Sequence, residues 1–230
     1  KIDQDLITNK FLRAKCIKIG YPRYDNLPSV ESSKNIIYNE ISGVDISKPT
    51  LLWIPTIIRF KDGLVDNIKI WLPDICSLLG EYNIIIRPHP KILVINPEMI
   101  VKLTELGFLV DVKKNRDLGV LYQSVDLVLA DYGGSVLSAI YMKKKLILLN
   151  FTSEYTNMRE KRMYVDNDVR KYVNSFNTKE NIALAEQVRI DIQDKNKSKI
   201  NRLKIQYFGD ELNHIDIKEI ACQLAKEIRT

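Results

Sequence analysis

Up to about residue 150 the apolar and polar positions alternate between two regimes, and beyond it they lose that order. Short runs rich in isoleucine, leucine and valine read as strands: KCIKI (15–19), TLLWIP (50–55), NIIIR (83–87), FLVDV (108–112), DLVLA (126–130) and KLILLN (145–150). Several are apolar throughout rather than at every second residue, which is the pattern of strands covered on both faces. Between them, helical spacing predicts helices near 64–80, 97–106, 117–124 and 134–143. Strands and helices in turn predict an α/β fold: a Rossmann-like open parallel sheet of about six strands with helices on both faces. Past residue 150, TSEYTNMREKRMYVDNDVRKYV is polar and irregular, and 179–199 reads as one helix with a charged face. Ile217, Ile220, Ala221, Leu224, Ala225 and Ile228 then fall at helical spacing, predicting a helical tail that packs on the sheet or on a missing neighbour. The chain reads as one domain over 1–230, with its core at about 15–150 and an irregular, then helical, part at 151–230.

Composition adds limits. In 230 residues, 45% hydrophobic and 28% charged, no apolar stretch approaches the length of a membrane-spanning helix. Cys16, Cys76 and Cys222 are too scattered for a disulfide framework or a zinc site, which predicts a reducing, cytoplasmic setting. The start, KIDQDLITNK, has neither a leader-like apolar core nor an initiating methionine and reads as a piece of a longer protein. A net charge of +6 suits an anionic partner, although a lysine-rich surface needs none. The lysines are dispersed and the tyrosines do not interleave with them, which argues against a nucleic-acid platform.

Ligands of open parallel sheets bind beyond the carboxyl ends of the strands. The first candidate strand runs into GYPRYD (20–25), the second into PT (55–56), the third into RPHP (87–90) and the fifth into DYGGS (131–135). Arg87 and His89 both precede proline, which holds each extended, and at that spacing their side chains share one side. A guanidinium that can grip phosphate and an imidazole that can donate to it are thus aimed together. Gly133 and Gly134 allow close approach of an anion to backbone N–H groups, and Ser135 opens the following helix. No full P-loop exists, and no ligand cluster suggests a metal or other cofactor. Arg23 is a further candidate, with pairing to Asp25 as the plainer reading. Lys143–Lys145 reads as a solvated helix end, and His214 as the start of a last helix without chemistry.

GYPRYD, WIPT, RPHP and DYGGS, in this order and spacing, resemble the CDP-glycerol glycerophosphotransferase family of teichoic-acid and capsule-type polymer enzymes. Members show Gly-Tyr-Pro-Arg-x-Asp, an Ala-Pro-Thr strand end, a basic-x-His-Pro element and an Asp-x-Ser-Ser turn. The resemblance covers roughly 15–150, with a faint echo in YFGD (207–210). It implies one half of a GT-B enzyme, the C-terminal donor-binding domain, with the N-terminal acceptor domain outside this chain. It implies transfer of glycerol phosphate from CDP-glycerol, or a related activated polyol phosphate, to a glycan or lipid-linked polymer, releasing CMP. The setting it implies is the cytoplasm, with possible peripheral contact at the inner face of the membrane. Carried over by motif, Arg23, Pro55, Thr56, Arg87, Pro88, Asp131, Gly133, Gly134 and Ser135 would bind the donor, and His89 would act in catalysis. The family's histidine base belongs to the missing domain, so the chain alone is expected to bind without much turnover. Glycines stand here where the family has paired serines, and a family acidic position falls near Ser138 or Ala139. Those departures keep open a UDP-type glycosyltransferase or epimerase of the same architecture. A non-enzymatic basic binding module is the third reading.

Overall fold

The computed structural model describes residues 22–24, 26–60, 63–151, 155, 164–209, 221–222 and 224–226. Its central strands are β1 (Thr50–Ile54), β4 (Asn83–Ile86), β6 (Leu127–Ala130) and β7 (Lys145–Leu149), flanked by two-residue edge strands β5 (Leu109–Val110) and β8 (Ser175–Phe176). Burial on both faces accounts for the unbroken apolar runs. Leu52, Ile85, Val128 and Leu148 point into one core layer, whereas Trp53, Ile86, Leu129 and Ile147 point into the other. Register keeps like with like: Leu52 stands beside Ile85 and Val128, and Trp53 beside Ile86 and Leu129.

Helices α1 (Val30–Glu40), α5 (Leu118–Ser124), α6 (Gly134–Tyr141) and α9 (Ser198–Phe208) supply the first layer through Ile37, Leu121, Ile140 and Leu203. The second layer is covered by α2 (Asn67–Cys76), α3 (Pro90–Ile95), α4 (Glu98–Glu105) and α8 (Asn181–Gln193), through Trp71, Ile92, Leu103 and Leu184. All strand pairs of the sheet are parallel, in the order β5-β4-β1-β6-β7-β8. The chain builds outward from β1 through β4 to β5, then returns to lay β6, β7 and β8 on the other side. β1 and β6 therefore flank the switch point, where loops leaving their carboxyl ends diverge and open a crevice.

Several expectations change. The expected strand 15–19 and the YFGD echo lie wholly or partly outside the described residues, and the sixth strand is β8, whose two residues carry no periodicity. The helix expected at 64–80 begins at Asn67, because Gly63–Asp66 (β3) pairs antiparallel with Ile57–Phe60 (β2). The helix expected at 179–199 ends at Gln193, and a second helix, α9, begins at Ser198 and runs beyond the expected span. Between them Asp194 accepts from the N–H of Asn196 (2.7 Å) and Asn196 from that of Ser198 (2.8 Å), local turns that compete with the helical ladder. Helices α1 and α3 went unread, as did α7 (Val165–Val169). In the tail, Ala221, Leu224 and Ala225 are helical and exposed, and the rest of that pattern lies outside the described residues. Nor is 143–145 merely a solvated helix end. Lys144 Nζ donates to the carbonyls of Gln123 (2.9 Å) and Val125 (2.8 Å) at the end of α5, and Lys145 Nζ donates to those of Asp191 and Ile192 near the end of α8. Burial lowers the Lys144 pKa to about 8.

Candidate functional site

A cleft of about 560 Å³ opens at the switch point. It gathers Arg23, Pro55, Thr56, Arg87, Pro88, His89, Gly133, Gly134 and Ser135, elements separated by up to about 110 residues in sequence. Asp131, the remaining residue singled out by sequence, lies beneath it.

The β4 end is built by its prolines. Arg87 N–H closes the strand on the carbonyl of Trp53 (2.9 Å), after which Pro88 offers no donor and the sheet stops. Arg87 Nη1 donates to the carbonyls of Asp111 (3.1 Å) and Lys113 (2.8 Å) and to Asp111 Oδ2 (3.2 Å). One nitrogen of the guanidinium is thus anchored, and Nε and Nη2 have no partner among the described residues. His89 is the N-cap of α3, its Nδ1 accepting from Lys91 N–H at 3.2 Å, with Pro90 at the first helical position. With Nδ1 committed as an acceptor, the neutral ring carries its proton on Nε2. Burial, and then the Lys91 charge, hold the imidazole below its ordinary pKa, with Asp131 opposing. At neutral pH His89 is therefore an uncharged Nε2–H donor.

Asp131 does a different job from the phosphate binding expected of it. Its side chain is buried and accepts from Thr56 N–H (2.8 Å), Tyr132 N–H (2.6 Å) and Asn67 Nδ2. It staples the end of β6 to the end of β1 and the start of α2, and burial raises its pKa. The glycine turn departs from expectation too. Gly133, at φ 86° and ψ −157°, has the backbone that only glycine adopts readily, but its N–H donates to Asp166 Oδ2 of α7 (2.9 Å). A carboxylate of the protein itself thus takes the first donor of the turn, and Gly134 and Ser135, the first residues of α6, remain on the cleft lining. Arg170 secures the same turn, with Nε on Asn150 Oδ1 (2.8 Å), Nη2 on the Asp131 carbonyl and its guanidinium 3.9 Å from the Tyr132 ring centre.

Arg23 is exposed on a short 3₁₀ turn, Pro22–Tyr24. The next residue positions it: Tyr24 is buried, donates to Ser138 Oγ (2.8 Å) and packs edge-on against Tyr122. Asp25, the alternative partner of Arg23, lies outside the described residues. Sequence reading missed Lys114 and Arg116, which also line the cleft. They follow the end of β5, one of the strand ends left unread. The lining thus holds, among the described residues, four cationic side chains and His89, and no carboxylate. Among the described residues no three His, Cys, Asp or Glu side chains cluster as a metal site would require. Nor is any described helix long and apolar enough to cross a membrane.

Residues 5–228 match the family model described as CDP-glycerol:poly(glycerophosphate) glycerophosphotransferase. No curated protein matches the chain by sequence. Among solved structures, the wall teichoic acid polymerase TagF is similar at 20% identity and TM-score 0.60, over 96% of this chain and 56% of that one. A histidine-to-asparagine variant of TagF, soaked for 30 minutes with CDPG, gives 18% and 0.61, over 96% and 55%. HepE from Anabaena, in complex with UDP and glucose, gives 16% and 0.51, over 90% and 55%. At these identities the likeness is one of fold, and it agrees with the expected GT-B-type half. The chain spans about half the length of the solved structures it matches.

Proposed function

Because this chain belongs to the CDP-glycerol:poly(glycerophosphate) glycerophosphotransferase family, we propose that its cleft holds the CDP-activated donor for glycerophosphate transfer. The observation that carries this reading is the lining, where Arg23, Arg87, Lys114 and Arg116 converge beside His89 with no carboxylate among the described residues. Such a cleft favours a diphosphate, and the soaking of TagF with CDPG supports a cytidine donor.

In the proposed reaction an acceptor hydroxyl attacks the glycerol-bearing phosphorus of CDP-glycerol. A new P–O bond forms, the bond to the bridging oxygen breaks, and CMP departs with that electron pair. Catalysis rests on positioning and charge stabilisation. Arg23 and the free edge of Arg87 offset diphosphate charge, and the Gly134 and Ser135 N–H groups receive a phosphate oxygen. The β1 end at Pro55 and Thr56 meets the nucleotide. His89 donates through Nε2–H to the departing phosphate, a role its tautomer suits better than that of base. The base that accepts the hydroxyl proton comes from outside this chain. The +6 charge also favours peripheral contact with an anionic inner leaflet, where a lipid-linked acceptor would be met.

Calorimetric titration with CDP-glycerol, CDP, UDP and UDP-N-acetylglucosamine tests the reading. A charge-assisted hydrogen bond to phosphate contributes about 1.5–3 kcal/mol. Cytidine ligands are therefore expected to bind preferentially, with Arg87→Ala weakening them roughly 10- to 100-fold. A preference for uridine ligands would replace the reading with a nucleotide-sugar enzyme of the same fold.

A further inference from the structure

The two buried-edge arginines of the cleft differ in how they are used. Every guanidinium nitrogen of Arg116 is engaged: Nε with both carboxylate oxygens of Asp111 (3.2 and 3.1 Å), Nη2 with Oδ1 (2.9 Å), and Nη1 with Glu40 Oε2. Arg87 gives up only Nη1, to the same Asp111 and to the Lys113 carbonyl. Asp111 is 2% exposed and sits just past β5, with its N–H on the Ile86 carbonyl (2.9 Å). Its carboxylate also accepts from Lys113 N–H (3.3 Å), and Lys113 Nζ pairs with Glu40 Oε1 (2.6 Å). Arg87, Lys113 and Arg116 therefore share two carboxylates, those of Asp111 and Glu40, and one positive charge is left over.

We infer that Asp111 is a positioning residue for phosphate binding: it fixes Arg87 by one nitrogen so that Nε and Nη2 face the cleft, while Arg116 holds the carboxylate in place. This rests on the reading of the cleft as a donor site. Arginine loses most of its advantage in gripping an anion if its long side chain must be ordered on binding. Asp111 removes that cost in advance, because a buried carboxylate with four donor nitrogens around it cannot turn away. A salt bridge whose purpose were only to join β5 to α1 would need Arg116 and Glu40 but not Arg87.

The test is a double-mutant cycle by calorimetry, with CDP and with inorganic pyrophosphate, on the wild-type chain, Asp111→Asn, Arg87→Ala and the double variant. Asp111→Asn is expected to weaken both ligands about tenfold in the wild-type background and less than about twofold when Arg87 is already alanine. Glu40→Gln, which disturbs the same ion-pair group away from Arg87, is expected to lower the melting temperature yet keep affinity within about twofold. Equal losses from Asp111→Asn in both backgrounds, no loss at all, or an equal loss from Glu40→Gln would overturn the inference. If Asp111→Asn does not fold, Arg116→Gln, which frees the carboxylate from its other side, takes its place in the cycle with the same expected coupling. Wild-type binding of pyrophosphate without preference for CDP over UDP would defeat the CDP-glycerol reading alone, leaving the pyrophosphate cycle to decide on Asp111. Binding of neither ligand would defeat both.

Discussion

His89 shows how much a single residue's surroundings decide. Its place between two prolines was legible in the sequence, and so was its closeness to Arg87. Its tautomer was not, because that depends on a helix beginning at Pro90, a six-residue element too short to show periodicity. Since the folded chain holds the imidazole below its ordinary pKa, folding favours the neutral ring. The stability linked to this is complete above the unfolded value near 6.5 and is lost as pH falls through the lower folded value. His89→Asn keeps a cap that accepts from Lys91 N–H and does not titrate, whereas His89→Ala loses the cap. Thermal melts at pH 7.5 and 5.5 should therefore show wild type losing stability relative to His89→Asn on acidification. His89→Ala should be less stable than His89→Asn by about 1 kcal/mol at either pH. A wild-type curve parallel to that of His89→Asn would contradict the assigned cap and tautomer. Asp131 carries the opposite lesson: it stands in a motif that points to ligand, yet burial and three donors make it part of the frame.

The strands with continuous apolar runs were legible as elements because both faces are buried, and β8 was not because two residues hold no pattern. The glycine turn before α6 was read as an anion cradle, but only the structure brings Asp166, 33 residues later, onto Gly133 N–H. The two glycines should therefore respond differently. Alanine at Gly133 would meet no atom within 4 Å, yet its φ of 86° costs about 1–3 kcal/mol of stability through backbone strain alone. Alanine at Gly134 also has open space and lies in the helix, so stability should be unchanged or slightly raised. Its methyl would crowd the anion instead, weakening CDP binding severalfold. Melting curves and CDP titrations of the two variants would separate these effects. Equal behaviour would count against the division of labour within the turn.

For the whole molecule, what the sequence conveyed was the architecture and the strand ends, and what it withheld was strand order. The return of the chain from β5 to β6 brings the β1 and β6 ends together, and with them Arg23, PT, RPHP and the glycine turn. The β5 end contributes the rest: Lys114 and Arg116 on the lining, with Asp111 behind them. The net charge of +6 pointed to an anion without giving its place; the cleft, lined by cations and by no carboxylate among the described residues, gives one. The most direct measurement is a crystal structure of the chain soaked with CDP-glycerol. The account predicts the diphosphate in this cleft, within hydrogen-bonding reach of Arg87 and the Gly134 and Ser135 N–H groups, with His89 Nε2 on a phosphate oxygen. A well-ordered nucleotide bound elsewhere on the molecule, with Arg87 and His89 untouched, would contradict it.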